Sequence, residues 1–227
     1  MSYVESRPMP GARAWTLPAT ARRALLLVPP LAFAGFEVLH PQPEVNPQAV
    51  MEVATWFAAF HAIQLVLIGL VAVSVLLLAE DFRAARAWTT TLGLGVFLIV
   101  FSAYDAIAGI ATGLAMRSAR DLPAAQQEGV WQTVKDWPAF DVPVFTLSVV
   151  ATLGWVLALI GIALAARRAR APRIEWIFIA LAGVFLMGGH PFPGGTAAFG
   201  CLFVAAVLHE LRGSRQPEES EARAAHA

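Results

Sequence analysis

Five acidic or imidazole side chains stand within or at the ends of stretches that are otherwise apolar: Glu37, His40, His61, Asp105 and His190. An ionisable group inside a bilayer is costly, and such groups usually pair with one another or mark a functional site. Three imidazoles and a carboxylate form a chemically complete ligand set for zinc or another borderline divalent ion. The residue types therefore predict a metal site made by His40, His61, Asp105 and His190.

The chemistry expected of such a site is the activation of water. A bound divalent metal brings the pKa of a water molecule near neutrality, so that it can attack an ester or an amide. Asp105 and Glu37 are the candidate catalytic carboxylates, and Glu37 shares a helical face with His40 three positions later. The expected cofactor is a divalent transition metal such as zinc, with haem as an alternative.

These side chains must be positioned by long apolar segments. The chain is 58% hydrophobic and only 14% charged. A soluble protein with so few charged residues could not cover its apolar residues with a polar surface. A membrane-spanning helix needs about 20 apolar residues. Six segments qualify or come close: Ala24 to Leu39, Val50 to Ala79, Trp88 to Met116, Val142 to Ala166, Ile174 to Gly189, and Gly194 to Leu211. The sequence therefore predicts an all-α integral membrane protein, a bundle of six transmembrane helices.

The domain organisation follows from these segments. Residues 24–211 form the predicted transmembrane domain, residues 1–23 a cytoplasmic N-terminal segment, and residues 212–227 a disordered cytoplasmic tail rich in Glu, Arg, Ala and Ser. His209 and Glu210, at the inner end of the last segment, are expected to be interfacial caps.

Orientation follows from the basic residues. Of the 16 Lys and Arg residues, only Arg117, Arg120 and Lys135 fall between segments on the side opposite the N-terminus. Basic residues concentrate on the cytoplasmic side of membrane proteins, so both termini are predicted to lie inside. In this topology all five chemically active residues lie in the outer leaflet, with His61 and Asp105 at matching depths.

A different interpretation applies to the first segment. Arg22 and Arg23, the apolar run after them and the small residues Ala32 and Ala34 resemble a cleavable signal peptide. Cleavage would leave five spans and keep the C-terminus inside.

Two local patterns predict further structure. Val130, Trp131, Val134 and Trp137 recur at helical spacing in the long outer connection, as in a short helix at the membrane interface. Gly109 and Gly113 form a GxxxG pair that permits close approach of another helix.

Composition also excludes some classes. The net charge is zero and no basic run interleaves with aromatic residues, so nucleic-acid binding is not expected. Cys201 is the single cysteine, which excludes an intrachain disulfide or a thiolate metal cage.

Known patterns of membrane metalloproteins match only in part. Hydrolases of the ceramidase and progestin-receptor type carry an HxxxH pair on a late helix, which this chain lacks. Cytochrome b561 proteins stack histidine pairs across the bilayer, but His61 has no evident opposite. A di-iron carboxylate site needs two Glu-x-x-His motifs, and only Glu37 with His40 fits.

The leading functional hypothesis is a metal-dependent membrane enzyme of the cell membrane acting on a lipid-like or interfacial substrate. One alternative is a small proton- or ion-coupled carrier in which Asp105 and His61 relay protons. Another is a non-catalytic membrane subunit whose polar pairs only hold the helices together. The expected partners are the lipid bilayer and a lipid-like or small-molecule substrate, while the oligomeric state is not defined by the sequence.

Overall fold

The computed structural model describes residues 17–41, 47–84, 87–135, 142–190 and 193–225, and all regular structure within these ranges is helical. The helices are α1 (Ala19–Val38), α2 (Pro47–Asp81), α3 (Trp88–Ala119), α4 (Ala124–Val134), α5 (Val142–Arg168), α6 (Arg173–Phe185) and α7 (Gly194–Ala225). A 3₁₀ turn, Leu186–Gly188, extends α6. Trp137, Pro191, Phe192 and His226 lie outside the described residues.

Four of these helices, α2, α3, α5 and α7, are long and apolar enough to cross a membrane. The predicted all-helical class is confirmed for the described ranges, and the four apolar helices indicate a membrane protein. Helices α1 and α6 occupy the first and fifth apolar segments of the sequence. With 13 residues, α6 is about 20 Å long, less than a hydrocarbon core of about 30 Å.

The helices form a closed ring. In the order α1, α2, α3, α5, α6 and α7, each helix packs against the next, and α7 packs against α1. Aromatic side chains fill the interior. The rings of Phe33 and Phe199 stack at 4.0 Å, and Trp155 lies against Phe199 and Phe97 with centroid distances of 5.6 and 4.7 Å. The Trp155 indole N–H donates to the Ala182 carbonyl at 2.8 Å, so its one polar atom is satisfied within the core.

Two local expectations can be compared with the structure. Helix α4 lies where the outer connection was predicted to be helical, and Val134 is buried against the start of α2. Helix α7 continues to Ala225, through the segment whose composition predicts disorder. Ala, Glu and Arg, which dominate that segment, are also strong helix formers.

One end of the ring carries a set of ion pairs, here called the arginine cluster. It consists of Arg22, Arg23, Asp81, Glu175, His209, Glu210 and Arg212. The His209 ring joins two carboxylates, with Nε2 2.8 Å from Asp81 Oδ2 and Nδ1 2.8 Å from Glu175 Oε1. His209 and Glu210, expected to be interfacial caps, thus tie α7 to α1, α2 and α6.

Candidate metal centre

Three histidines meet at the opposite end of the ring. His40 follows α1, His61 lies within α2, and His190 lies in the turn between α6 and α7. Each ring offers one nitrogen, and the three nitrogens lie within 4.8 Å of one another. Nε2 of His40 is 3.1 Å from Nε2 of His61. Nitrogen ligands of a tetrahedral zinc ion lie roughly 3.3 Å apart, given Zn–N bonds of about 2.0–2.1 Å. The group therefore suits a metal ion after small side-chain adjustments.

The Nδ1 atom of His61 has a hydrogen-bond partner, and the Nδ1 atom of His190 lies close to a carboxylate. His61 Nδ1 donates to the Phe57 carbonyl, one helical turn earlier, at 2.7 Å. His190 Nδ1 lies 2.8 Å from Oε2 of Glu37. With the proton on Nδ1, a neutral imidazole presents its lone pair at Nε2. Metal-binding histidines are usually held in this manner by a carbonyl or a carboxylate.

Glu37 is fully buried behind His190. The Gln64 side-chain amide donates to Glu37 Oε1 at 3.0 Å, and the same nitrogen lies 3.3 Å from His190 Nε2. Gly195 at the start of α7 makes room for the carboxylate, since a β-carbon there would overlap it. These contacts hold Glu37 beside His190, and the catalytic role expected for Glu37 stays a prediction.

Asp105 lies beside the histidine group. Its Oδ1 is 3.8 Å from His61 Nε2, which places it near the site at the depth that the sequence predicts. It is not one of the three mutually close ligand atoms. The side chain is buried, and neither oxygen accepts a hydrogen bond from any described residue. A buried acceptor without a donor is unfavourable, which points to a proton or a cation at this position.

Helix α3 is irregular on both sides of Asp105. Residues Phe97–Phe101 and Ala106–Ala111 are π-helical. Such segments are rare and occur frequently at functional sites. Gly109 in the second segment faces His61, and a β-carbon there would overlap the imidazole. The helix is thus shaped around His61 as well as carrying Asp105.

The electrostatics of this end are unusual. Glu37 and Asp105 are both buried, and within the described ranges the ion pairs of each involve a histidine and no lysine or arginine. A divalent cation would balance the two carboxylates directly.

The sequence indicates part of this arrangement. It predicts that His40, His61, Asp105 and His190 lie at one end, and the structure brings them together. The sequence shows Gln64 as a polar neighbour of His61 at helical spacing. It does not show that Gln64 donates a hydrogen bond to Glu37. The Phe57 carbonyl leaves no sequence signal, because backbone acceptors are present at every residue.

Known proteins give no family for this chain. No family model, curated protein or solved structure matches it. Because a fold by itself does not define a function, the argument rests on the chemistry of the site.

Proposed function

We propose that this chain is a metal-dependent enzyme of the cell membrane, in which His40, His61 and His190 bind a divalent transition metal such as zinc. The observation that carries the proposal is the approach of three imidazole nitrogens, from three separate elements, to within 4.8 Å of one another. Glu37 and Asp105 support it, because they are buried, contact no lysine or arginine among the described residues, and supply the negative charge that a dication needs.

The chemistry is that of a three-histidine zinc site with an open position. Such an ion lowers the pKa of a bound water to about 7. Asp105 Oδ1 lies 3.8 Å from His61 Nε2 and accepts no hydrogen bond from the described residues, so it would be free to take the proton of such a water. A water activated in this way would attack the carbonyl carbon of an ester or amide, and Asp105 would return the proton to the leaving group.

Glu37 has a supporting role in this mechanism. Its carboxylate orients His190, and Gln64 holds the carboxylate in turn. Asp105, predicted as a fourth ligand, acts here as a base. The two roles differ in their consequence, because loss of a ligand weakens metal binding whereas loss of a base lowers the rate alone.

The enzyme spans the membrane six times with both termini in the cytoplasm, and it takes a lipid-like substrate from the bilayer. Helices α1 and α6 close the ring with the four long apolar helices. The bias of basic residues toward the end opposite the histidines supports this orientation, which places the metal on the outer side.

Metal analysis of detergent-purified protein tests the proposal. We expect about one transition metal per chain in the wild type and none above background in His61→Ala. His209→Gln is the matched control, because it removes a histidine from the other end of the same bundle and should keep the metal. Substoichiometric metal that His61→Ala leaves unchanged would contradict the proposal. A Soret band in the absorption spectrum would show that the bound cofactor is haem and not zinc.

A proton-coupled carrier is the second candidate, favoured by two carboxylate–imidazole pairs in the bundle. Glu37 and His190 are 2.8 Å apart, and Asp105 and His61 are 3.8 Å apart. Chains of such groups carry protons through membrane proteins. This candidate predicts pH-driven uptake into proteoliposomes that Asp105→Asn abolishes, in protein that binds no metal.

A further inference from the structure

A cavity of about 400 Å³ adjoins the histidine site. It lies between α3, α5 and the turn that follows α6, and its volume falls within the range of small-molecule binding sites. His190 forms part of its wall, together with Phe101, whose ring centroid is 5.4 Å from that of His190. A molecule in this cavity would therefore reach the proposed metal centre at one end.

The cavity wall is mainly apolar. Phe101, Phe145, Val149 and Leu186 contribute hydrocarbon and aromatic surface. Thr152 also lines it, but its hydroxyl donates to the Ser148 carbonyl of the same helix at 2.9 Å. Tyr104 and Ser148 also line the cavity, but most of its wall is apolar, which favours a hydrocarbon ligand over a polar one.

The cavity is partly open on the side of the bundle. Leu153 and Met187 line the cavity and are 56% and 61% exposed, and Phe145 is exposed beside them. In a membrane-spanning ring, large apolar side chains on the outer surface face lipid tails. Leu153 lies about 16 Å along α5 from Val142, at 1.5 Å per residue. The opening therefore faces lipid hydrocarbon between the outer end of α5 and the middle of the bilayer.

We infer that this cavity binds a single acyl chain of a bilayer lipid, which enters sideways between α3 and α5 and presents its ester or amide carbonyl at His190. The inference rests on the proposed function and adds to it the substrate class and the route of entry. Water adds to the carbonyl carbon, the bond from that carbon to the leaving oxygen or nitrogen breaks, and the leaving group takes the proton. The acyl chain departs as a fatty acid.

Photolabelling tests this inference in the full-length protein. The probe is a palmitoyl ester of a lysophospholipid with a diazirine in the chain, incorporated into phosphatidylcholine nanodiscs. We expect labelling to concentrate on peptides that contain Phe101 and Leu186. The test variant is Val149→Trp, which fills the cavity, and the control is Val150→Trp. The control residue is the next on the same helix, has similar exposure (38% against 40%), and does not line the cavity.

The expected result is at least a fivefold loss of labelling in Val149→Trp, no loss in Val150→Trp, and about one metal per chain in both. Val149→Phe, which fills less space, should give a smaller loss and covers the case in which the tryptophan variant fails to fold. Equal labelling in all variants with the metal retained would overturn the acyl-chain site and leave the proposed function standing. Wild-type protein without metal would overturn the proposed function and this inference with it.

Discussion

The two polar clusters lie at opposite ends of the same helices and balance their charge in different ways. In the arginine cluster, Asp81 and Glu210 both meet Arg22, and Glu175 meets His209. Each carboxylate there faces a cation that the chain itself supplies. Groups balanced in this way hold helices together and need no ligand.

The histidine end has the opposite character. Glu37 and Asp105 are buried, and within the described ranges each forms an ion pair only with an imidazole. His209 turns both ring nitrogens toward carboxylates, whereas His61 gives one nitrogen to a backbone carbonyl and points the other at His40. The comparison shows that a buried histidine acquires its role from its neighbours: His209 bridges two carboxylates, whereas His61 is a candidate metal ligand.

The largest effect is expected from Asp105→Asn. The amide keeps the shape of the side chain but cannot accept a proton, so hydrolysis of a long-chain p-nitrophenyl ester should fall by about 10²–10⁴-fold, the usual contribution of a general base. Metal content should stay at the wild-type level, because the three imidazoles remain. Loss of the metal together with the activity would instead make Asp105 a ligand.

The next effect should appear at the other end, in Glu175→Gln. This change removes a fully buried carboxylate that contacts His209 and Arg212. Breaking a buried ion pair costs about 3–5 kcal/mol, and we expect a loss of roughly 3 kcal/mol in the free energy of unfolding because His209 can release its proton. Unfolding by SDS, followed by circular dichroism, measures it. Metal content should not change, and a change would contradict the separation of the two clusters.

Glu37→Gln sharpens the comparison from the histidine side. It removes the carboxylate beside His190 but leaves all three ligands in place. Loss of such an outer partner typically lowers metal affinity by about 10–100-fold. Competition with a chromogenic chelator gives the affinity, and Glu52→Gln, a carboxylate outside both clusters, is the control. If Glu37→Gln binds metal as tightly as the wild type, the orienting role is wrong.

The smallest effect is expected for Arg23→Ala. Arg23 bonds Glu210 at 2.9 Å, but its own side chain is largely exposed, and Glu210 keeps its contact with Arg22. Exposed ion pairs contribute about 0–1 kcal/mol. The same SDS unfolding assay should therefore give a change below about 1 kcal/mol in the free energy of unfolding. A loss as large as that of Glu175→Gln would show that the exposed and buried ion pairs of the arginine cluster contribute equally.

The sequence predicts the helices from the length of the apolar segments, and the side of the site from the positions of the ionisable residues along them. The six apolar runs mark the ring helices, and the depths of His61 and Asp105 place them at one end. These are one-dimensional properties that can be counted along the chain.

The pairings could not be predicted in the same way. The contact of Glu37 with His190, and the His209 bridge from Asp81 to Glu175, depend on the neighbourhood of α1, α6 and α7, which apolar length does not encode. The π-helical turns around Asp105 likewise arise from tertiary packing, since no residue type specifies them.

X-ray absorption at the metal edge of purified wild-type protein tests the central claim most directly, because it reports the ligands themselves. The account predicts a shell that contains three imidazole nitrogens at about 2.0–2.1 Å, as in three-histidine zinc sites. A shell of oxygen atoms alone, or protein that retains no metal at equal folding quality, would contradict it.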